Sequence, residues 1–122
     1  MSSKTEDRKT RYKSHALVEF KKAKWLPFGV HSGVLLDLSL DGFKLEFTGE
    51  VYVKPNSTSW VSIPLSPLGI KAPGKFQGKV EVRWFDEKRF RIGGTFQGLS
   101  TTDKQILAQV IEVLEEKGLA NL

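Results

Sequence analysis

From residue 16 onward, apolar side chains recur with period two or in short runs over 16–20, 33–38, 43–47, 59–65, 76–85 and 89–96. Alternation of this kind turns one side of an extended chain toward a core and the other toward water, so each segment predicts a short strand. Pro, Gly, Asn and Asp punctuate the intervals, and 65–74, which holds Pro67, Gly69, Pro73 and Gly74, reads as a loop between strands. Six such strands predict an antiparallel barrel or sandwich. The clearest pair sets Phe76, Val80, Val82 and Trp84 on one face. After Asp86-Glu87-Lys88, it returns with Phe90, Ile92 and Phe96, a hairpin whose aromatic pairs would fix register.

After Ser100 the period becomes helical. Ile106, Leu107, Val110, Ile111 and Leu114 form one apolar stripe, so 101–117 predicts an amphipathic helix placed over one opening of the barrel. Ser100-Thr101-Thr102-Asp103 is a capping box at its start, while Lys117 and Gly118 suit its end. Residues 1–14 are polar and charged with no apolar periodicity, the composition of a flexible arm. The expected organisation is that arm followed by one domain over 15–122. Trp25-Leu26-Pro27-Phe28 is an apolar knot, either tucked over a barrel end or offered to a partner.

Composition narrows the chemistry. The 122 residues suit a single domain, and 39% hydrophobic with 27% charged residues is ordinary for a globular chain. No apolar stretch approaches membrane-spanning length, and the first apolar cluster is short and interrupted by Glu19, so neither membrane insertion nor a signal peptide is expected and the location reads as cytoplasmic. The absence of cysteine removes disulfides, thiolate catalysis and Cys-ligated zinc. The net charge of +5 is confined to the first 24 residues, where Lys4, Arg8, Lys9, Arg11, Lys13, Lys21, Lys22 and Lys24 face Glu6, Asp7 and Glu19. A basic arm on a neutral body suggests an anionic partner, and a solvated tail is the plain alternative. Trp25, Phe28 and Trp60 are able to stack bases, but the neutral body argues against nucleic acid.

No catalytic constellation, metal cage or cofactor cradle emerges. His15 and His31 are the only imidazoles, and they stand at no ligand spacing. Gly29-x-x-x-Gly33 and Gly93-Gly94 open no helix after a strand and so match no phosphate loop. Asp37 and Asp41 are four apart in a strand-to-turn context and suit different tasks better than an acid–base pair. The chain therefore reads as a binding module, not an enzyme. Its most specific stretch is Asp37-Leu38-Ser39-Leu40-Asp41-Gly42. Asp37 and Ser39 would project to one side of a strand end as an acceptor-rich ledge, and Gly42 would supply the positive φ of a tight turn. An ordinary Asp/Ser/Gly turn has the same composition.

This stretch resembles the Asp-x-Ser-x-x-Gly motif of PilZ domains, small bacterial six-stranded β-barrels with a basic N-terminal arm and a C-terminal helix. Val82-Arg83-Trp84, Arg91-Ile92-Gly93-Gly94-Thr95-Phe96 and Leu99-Ser100 resemble the family's closing section, and the likeness spans about residues 7–114. The resemblance implies binding of cyclic di-GMP: arginines of the arm grip phosphates and guanine edges while the Asp/Ser/Gly turn holds a guanine. Arg8, Lys9, Arg11, Asp37, Ser39 and Gly42 are the residues it nominates here. It also implies an unidentified downstream protein that reads the closed arm, with outputs such as motility, surface attachment or exopolysaccharide. The family's arginines stand four apart, whereas Arg8 and Arg11 stand three apart and Asp7 occupies the place of the first when Arg11 is taken as the second. That departure leaves open a PilZ fold that binds no nucleotide and works through protein contacts.

Overall fold

Val18 and Phe20 are buried while Leu17 and Glu19 are exposed. This alternation defines the first strand of the computed structural model, which describes residues 16–25, 28–71 and 73–116. The strands are β1 (Leu17–Lys21), β2 (His31–Leu38), β3 (Gly42–Phe47), β4 (Thr58–Pro64), β5 (Lys75–Asp86) and β6 (Arg91–Gln97), followed by a helix, α1 (Thr101–Glu116). Every pairing is antiparallel, in the order β1-β2-β3-β6-β5-β4, and β1 pairs with β4 to close the barrel. The sequence-derived strands agree to within two residues at each end. β2 begins earlier than its apolar pattern because exposed His31 and Ser32 pair with Phe20 and Glu19. β6 begins later because Phe90 adopts φ 53° in the preceding turn.

Val18, Phe20, Leu45, Val61, Ile63, Phe76, Val80, Val82 and Ile92 fill the barrel in one continuous core. Aromatic edges knit its walls, with Phe20 against Phe47 at 5.4 Å between ring centroids and Phe76 against Phe96 at 5.8 Å. The predicted loop over 65–74 contributes to this core. Its single 3-10 turn, Ser66–Leu68, buries Leu68, and Leu65 beside it is fully enclosed. α1 adds Leu107, Val110 and Leu114 and packs on β5 and the 3-10 turn, at the end where β4 finishes and β5 begins. Its start is capped reciprocally: Ser100 Oγ accepts from Asp103 N at 3.0 Å and Asp103 Oδ2 accepts from Ser100 N at 3.4 Å. Lys117 and Gly118 lie outside the described residues.

Trp84 corrects the expected hairpin. A bulge between Val82 and Trp84 makes Arg83 the extra residue of β5, and each position beyond it changes face. Phe85, not Trp84, packs toward the core, and Trp84 is 40% exposed on the outside. Its indole lies over Gly93, where a Cβ would sit 2.4 Å from the ring. Gly94 is equally constrained, since a Cβ there would meet the carbonyl oxygen of Glu81 at 2.2 Å. The Gly93-Gly94 pair is therefore a packing device that brings β5 close to β6.

The same hairpin ends in a turn organised by one carboxylate. Asp86 Oδ1 accepts from Lys88 N at 2.9 Å, and Oδ2 pairs with the Arg89 guanidinium at 3.3 Å. The Lys88 amide foremost, with Arg89 assisting, holds the Asp86 carboxyl below its ordinary value. A depressed carboxylate contributes stability that is present above its unfolded-state value, near pH 4, and fades as pH falls through the lower folded value. Asp86→Asn should remove this acid-range component, seen as a flatter dependence of the unfolding midpoint on pH between neutral and strongly acid solution. Gly94→Ala, with no room at a rigid backbone oxygen, should cost about 1–3 kcal/mol in urea denaturation. Gly69→Ala, strained at φ 80° but with open space around its Cβ, tests whether crowding or conformation dominates.

Candidate functional site

The candidate site forms at the end of β2. A second bulge, between Leu35 and Asp37, pairs Leu35 with Leu45 and then Asp37 with Lys44, leaving Leu36 as the extra residue. Both Leu35 and Leu36 are buried, and the shift in phase sets Asp37 out in solvent with Leu38 turned back into the core. Asp37 Oδ1 accepts from Leu38 N at 2.9 Å, which fixes the carboxylate plane. Among the described residues, Oδ2 has no hydrogen-bond partner. Lys44, its cross-strand neighbour, forms no ion pair with it within the described residues and sets a cation beside the carboxylate.

Ser39 and Gly42 build the turn rather than the ledge that the sequence suggested. Ser39 Oγ accepts from Asp41 N at 3.2 Å and Gly42 N at 3.1 Å, and it lies 3.4 Å from the Gly42 carbonyl oxygen as a donor. The backbone closes the same loop with Ser39 N donating to Gly42 O at 2.9 Å. The hydroxyl is thus engaged with its own turn, the self-satisfied geometry that Ser favours in such loops. Gly42 does not adopt the positive φ expected of it; the positive-φ glycines among the described residues are Gly29, Gly69, Gly74 and Gly98. Glycine stands at position 42 because a Cβ would meet the Gly94 carbonyl oxygen at 2.4 Å, where β3 runs hard against β6. Leu40 is exposed at the tip, and no hydrogen bond links Asp37 to Asp41 among the described residues.

Arg8, Lys9, Arg11 and His15 lie outside the described residues, as does the rest of the predicted arm. The point where the arm joins the barrel is described. The Ala16 carbonyl accepts from Leu35 N at 3.0 Å, two positions before Asp37 on the neighbouring strand. A chain spans at most about 3.5 Å per residue, so Arg11 is tethered within roughly 18 Å of Ala16, and Arg8 within roughly 28 Å. Lys44 and the β2 bulge carry no signal in the sequence pattern, since cross-strand neighbours appear only once register is known. Among the described residues no three His, Asp or Glu side chains gather as a metal site, and no helix is long and apolar enough to cross a membrane.

No family model matches the sequence, and no curated protein matches it. Solved structures do match the fold. The PilZ domain of CeSA from a cellulose-synthesizing bacterium aligns with TM-score 0.60 and 13% identity over 83% of this chain and 93% of that one. The PilZ domain of YcgR from Escherichia coli, solved with c-di-GMP, aligns with TM-score 0.62 and 16% identity over 85% of this chain and 84% of that one. The Bacillus subtilis inhibitor of motility MotI/DgrA aligns with TM-score 0.59 and 13% identity over 84% of this chain, which spans 47% of that protein. At these identities the likeness is one of fold, and the fold is that of PilZ domains.

The division of labour between Asp37 and Ser39 is measurable. Ser39→Ala should cost about 1 kcal/mol by stripping the turn of its hydroxyl bonds. Asp37→Asn, which keeps an acceptor for Leu38 N, should leave the urea midpoint close to that of the parent.

Proposed function

We propose that this chain is a PilZ-type receptor for cyclic di-GMP, in which the N-terminal arm closes over the β2–β3 turn and a downstream protein reads the closed surface. The observation that carries the reading is the exposed Asp37 carboxylate, held on one oxygen by Leu38 N, beside the strand position where the arm enters at Ala16. A fixed carboxylate with a free oxygen suits the N1 and N2 donors of guanine. Arg8 and Arg11 bring planar forks that match a phosphate, or guanine O6 and N7, in bidentate fashion, and Lys9 adds charge. Ser39 and Gly42 contribute by shaping the turn that presents Asp37. The neighbour solved with c-di-GMP supports the choice of ligand class. Ligand closure of a tethered arm changes the protein surface without moving the barrel, a suitable signal for a partner.

A second reading has its own support. Asp7 stands four residues before Arg11, where an anion opposes a phosphate, and the Ser39 hydroxyl is already engaged by the turn. On that reading the fold serves as a protein-interaction module without nucleotide.

Calorimetric titration with cyclic di-GMP separates the two. The receptor reading expects micromolar or tighter binding by the wild type. It further expects Asp37→Ala and Arg11→Ala each to weaken binding by at least about tenfold, the loss of one charge-assisted contact. A flat wild-type titration at high protein concentration, with binding appearing in Asp7→Arg, would overturn the receptor reading and favour the interaction module, which further expects a stable protein partner in a pull-down.

A further inference from the structure

The end of the barrel opposite the β2–β3 turn holds a cavity of about 700 Å³. Its basic lining comes from Lys21, Lys22, Lys54 and His31, with hydroxyls from Ser57, Thr58 and Ser59; its apolar lining includes Phe28 and Tyr52, and among the described residues no aspartate or glutamate lines it. His31 begins β2 and Leu38 ends it, so the cavity and the Asp37 turn are separated by roughly 20 Å of strand.

Lys21 is the unusual member. It is 7% exposed, yet among the described residues its ammonium has neither an ion pair nor a hydrogen bond. A buried cation is favoured by a counter-charge or acceptors close to it, and Lys21 lines a cavity open to a ligand that brings them. Lys24 does not share this position, because its ammonium lies over the Trp60 ring at 5.5 Å from the centroid. The apolar wall is also preorganised. The Tyr52 ring stands edge-on to Phe85 at 6.1 Å and to Phe90 at 5.6 Å, although Tyr52 is 68% and Phe28 70% exposed. Exposed aromatic rings, a concavity of ligand size and a buried lysine with no ion pair among the described residues together describe a site with one polar anchor and an apolar bed.

We infer that this cavity binds an organic anion with an apolar body, its phosphate or carboxylate held by Lys21 with Lys22 and Lys54 at the rim, and its hydrocarbon or aromatic part against Phe28 and Tyr52. The site is separate from the proposed nucleotide site and does not depend on it.

The test uses the full chain, labelled with nitrogen-15, titrated with 1-naphthyl phosphate and, in parallel, with neutral 1-naphthylmethanol. The phosphate should shift the amides of Lys21, Lys22, Gly29, His31, Tyr52 and Ser59 while leaving Asp37, Ser39 and Gly42 unmoved. The neutral analogue should bind at least about tenfold more weakly. Lys21→Met, which keeps the stem and removes the charge, should weaken the phosphate by about tenfold, and Lys22→Met at the rim by less. Equal binding of the two probes, shifts centred elsewhere, or an unchanged affinity in Lys21→Met would each overturn the assignment. If Lys21→Met does not fold, the comparison of the two probes on the wild type decides alone. A wild type that binds 1-naphthyl phosphate here but not cyclic di-GMP would leave this site standing and the nucleotide reading overturned.

Discussion

The barrel depends on a short seam. β1 reaches β4 through only three register pairs, Glu19 with Ser62, Phe20 with Val61 and Lys21 with Trp60, and this pairing converts an open sheet into a closed wall. Closing strands so far apart in sequence carries an entropic cost that the seam alone does not offset. The core supplies the difference, since Phe20, Val61 and Ile63 meet inside the same seam and are almost wholly enclosed. β1 also connects the two candidate sites. Ala16, just before its first residue, is bonded to the strand that carries Asp37, and the buried Lys21 closes its last position. Two chemically different ends of the molecule are therefore set by five residues.

The periodicities locate the six strands and the helix because burial enforces them, while the choice between barrel and sandwich rests on the β1–β4 pairing. Val18 and Phe20, Val80 and Val82, and Leu107, Val110 and Leu114 all lie on the faces that their spacing demands. The places where the pattern misleads are the two bulges. One extra residue at Leu36 and one at Arg83 reverse the alternation without changing composition, so Trp84 reads as a core residue and stands outside. Nothing local distinguishes such a residue from its neighbours. The bulge follows from register against a partner strand tens of residues away.

At the candidate site, the motif spacing locates the turn correctly, but the roles within it depend on geometry. Ser39 offers the same hydroxyl whether it faces a ligand or two amides of its own loop, and only the folded turn resolves which. Gly42 likewise answers to a carbonyl oxygen from β6, a neighbour absent from any local reading. Asp37 keeps its candidacy because the strand holds it on one oxygen and leaves the other unengaged among the described residues. The cavity around Lys21 has no sequence signature, since it gathers β1, the start of β2, the chain between β3 and β4, and the start of β4.

The brevity of the seam bears on how the chain tolerates being cut. Without β1, β2 and β4 become the two free margins of a five-stranded sheet, each presenting a row of amides and carbonyls that had been paired. Such margins recruit strands from other molecules. An untrimmed copy lending its own first strand would complete the missing stave, so N-terminal trimming through Lys21 turns the closed barrel into a template for strand exchange.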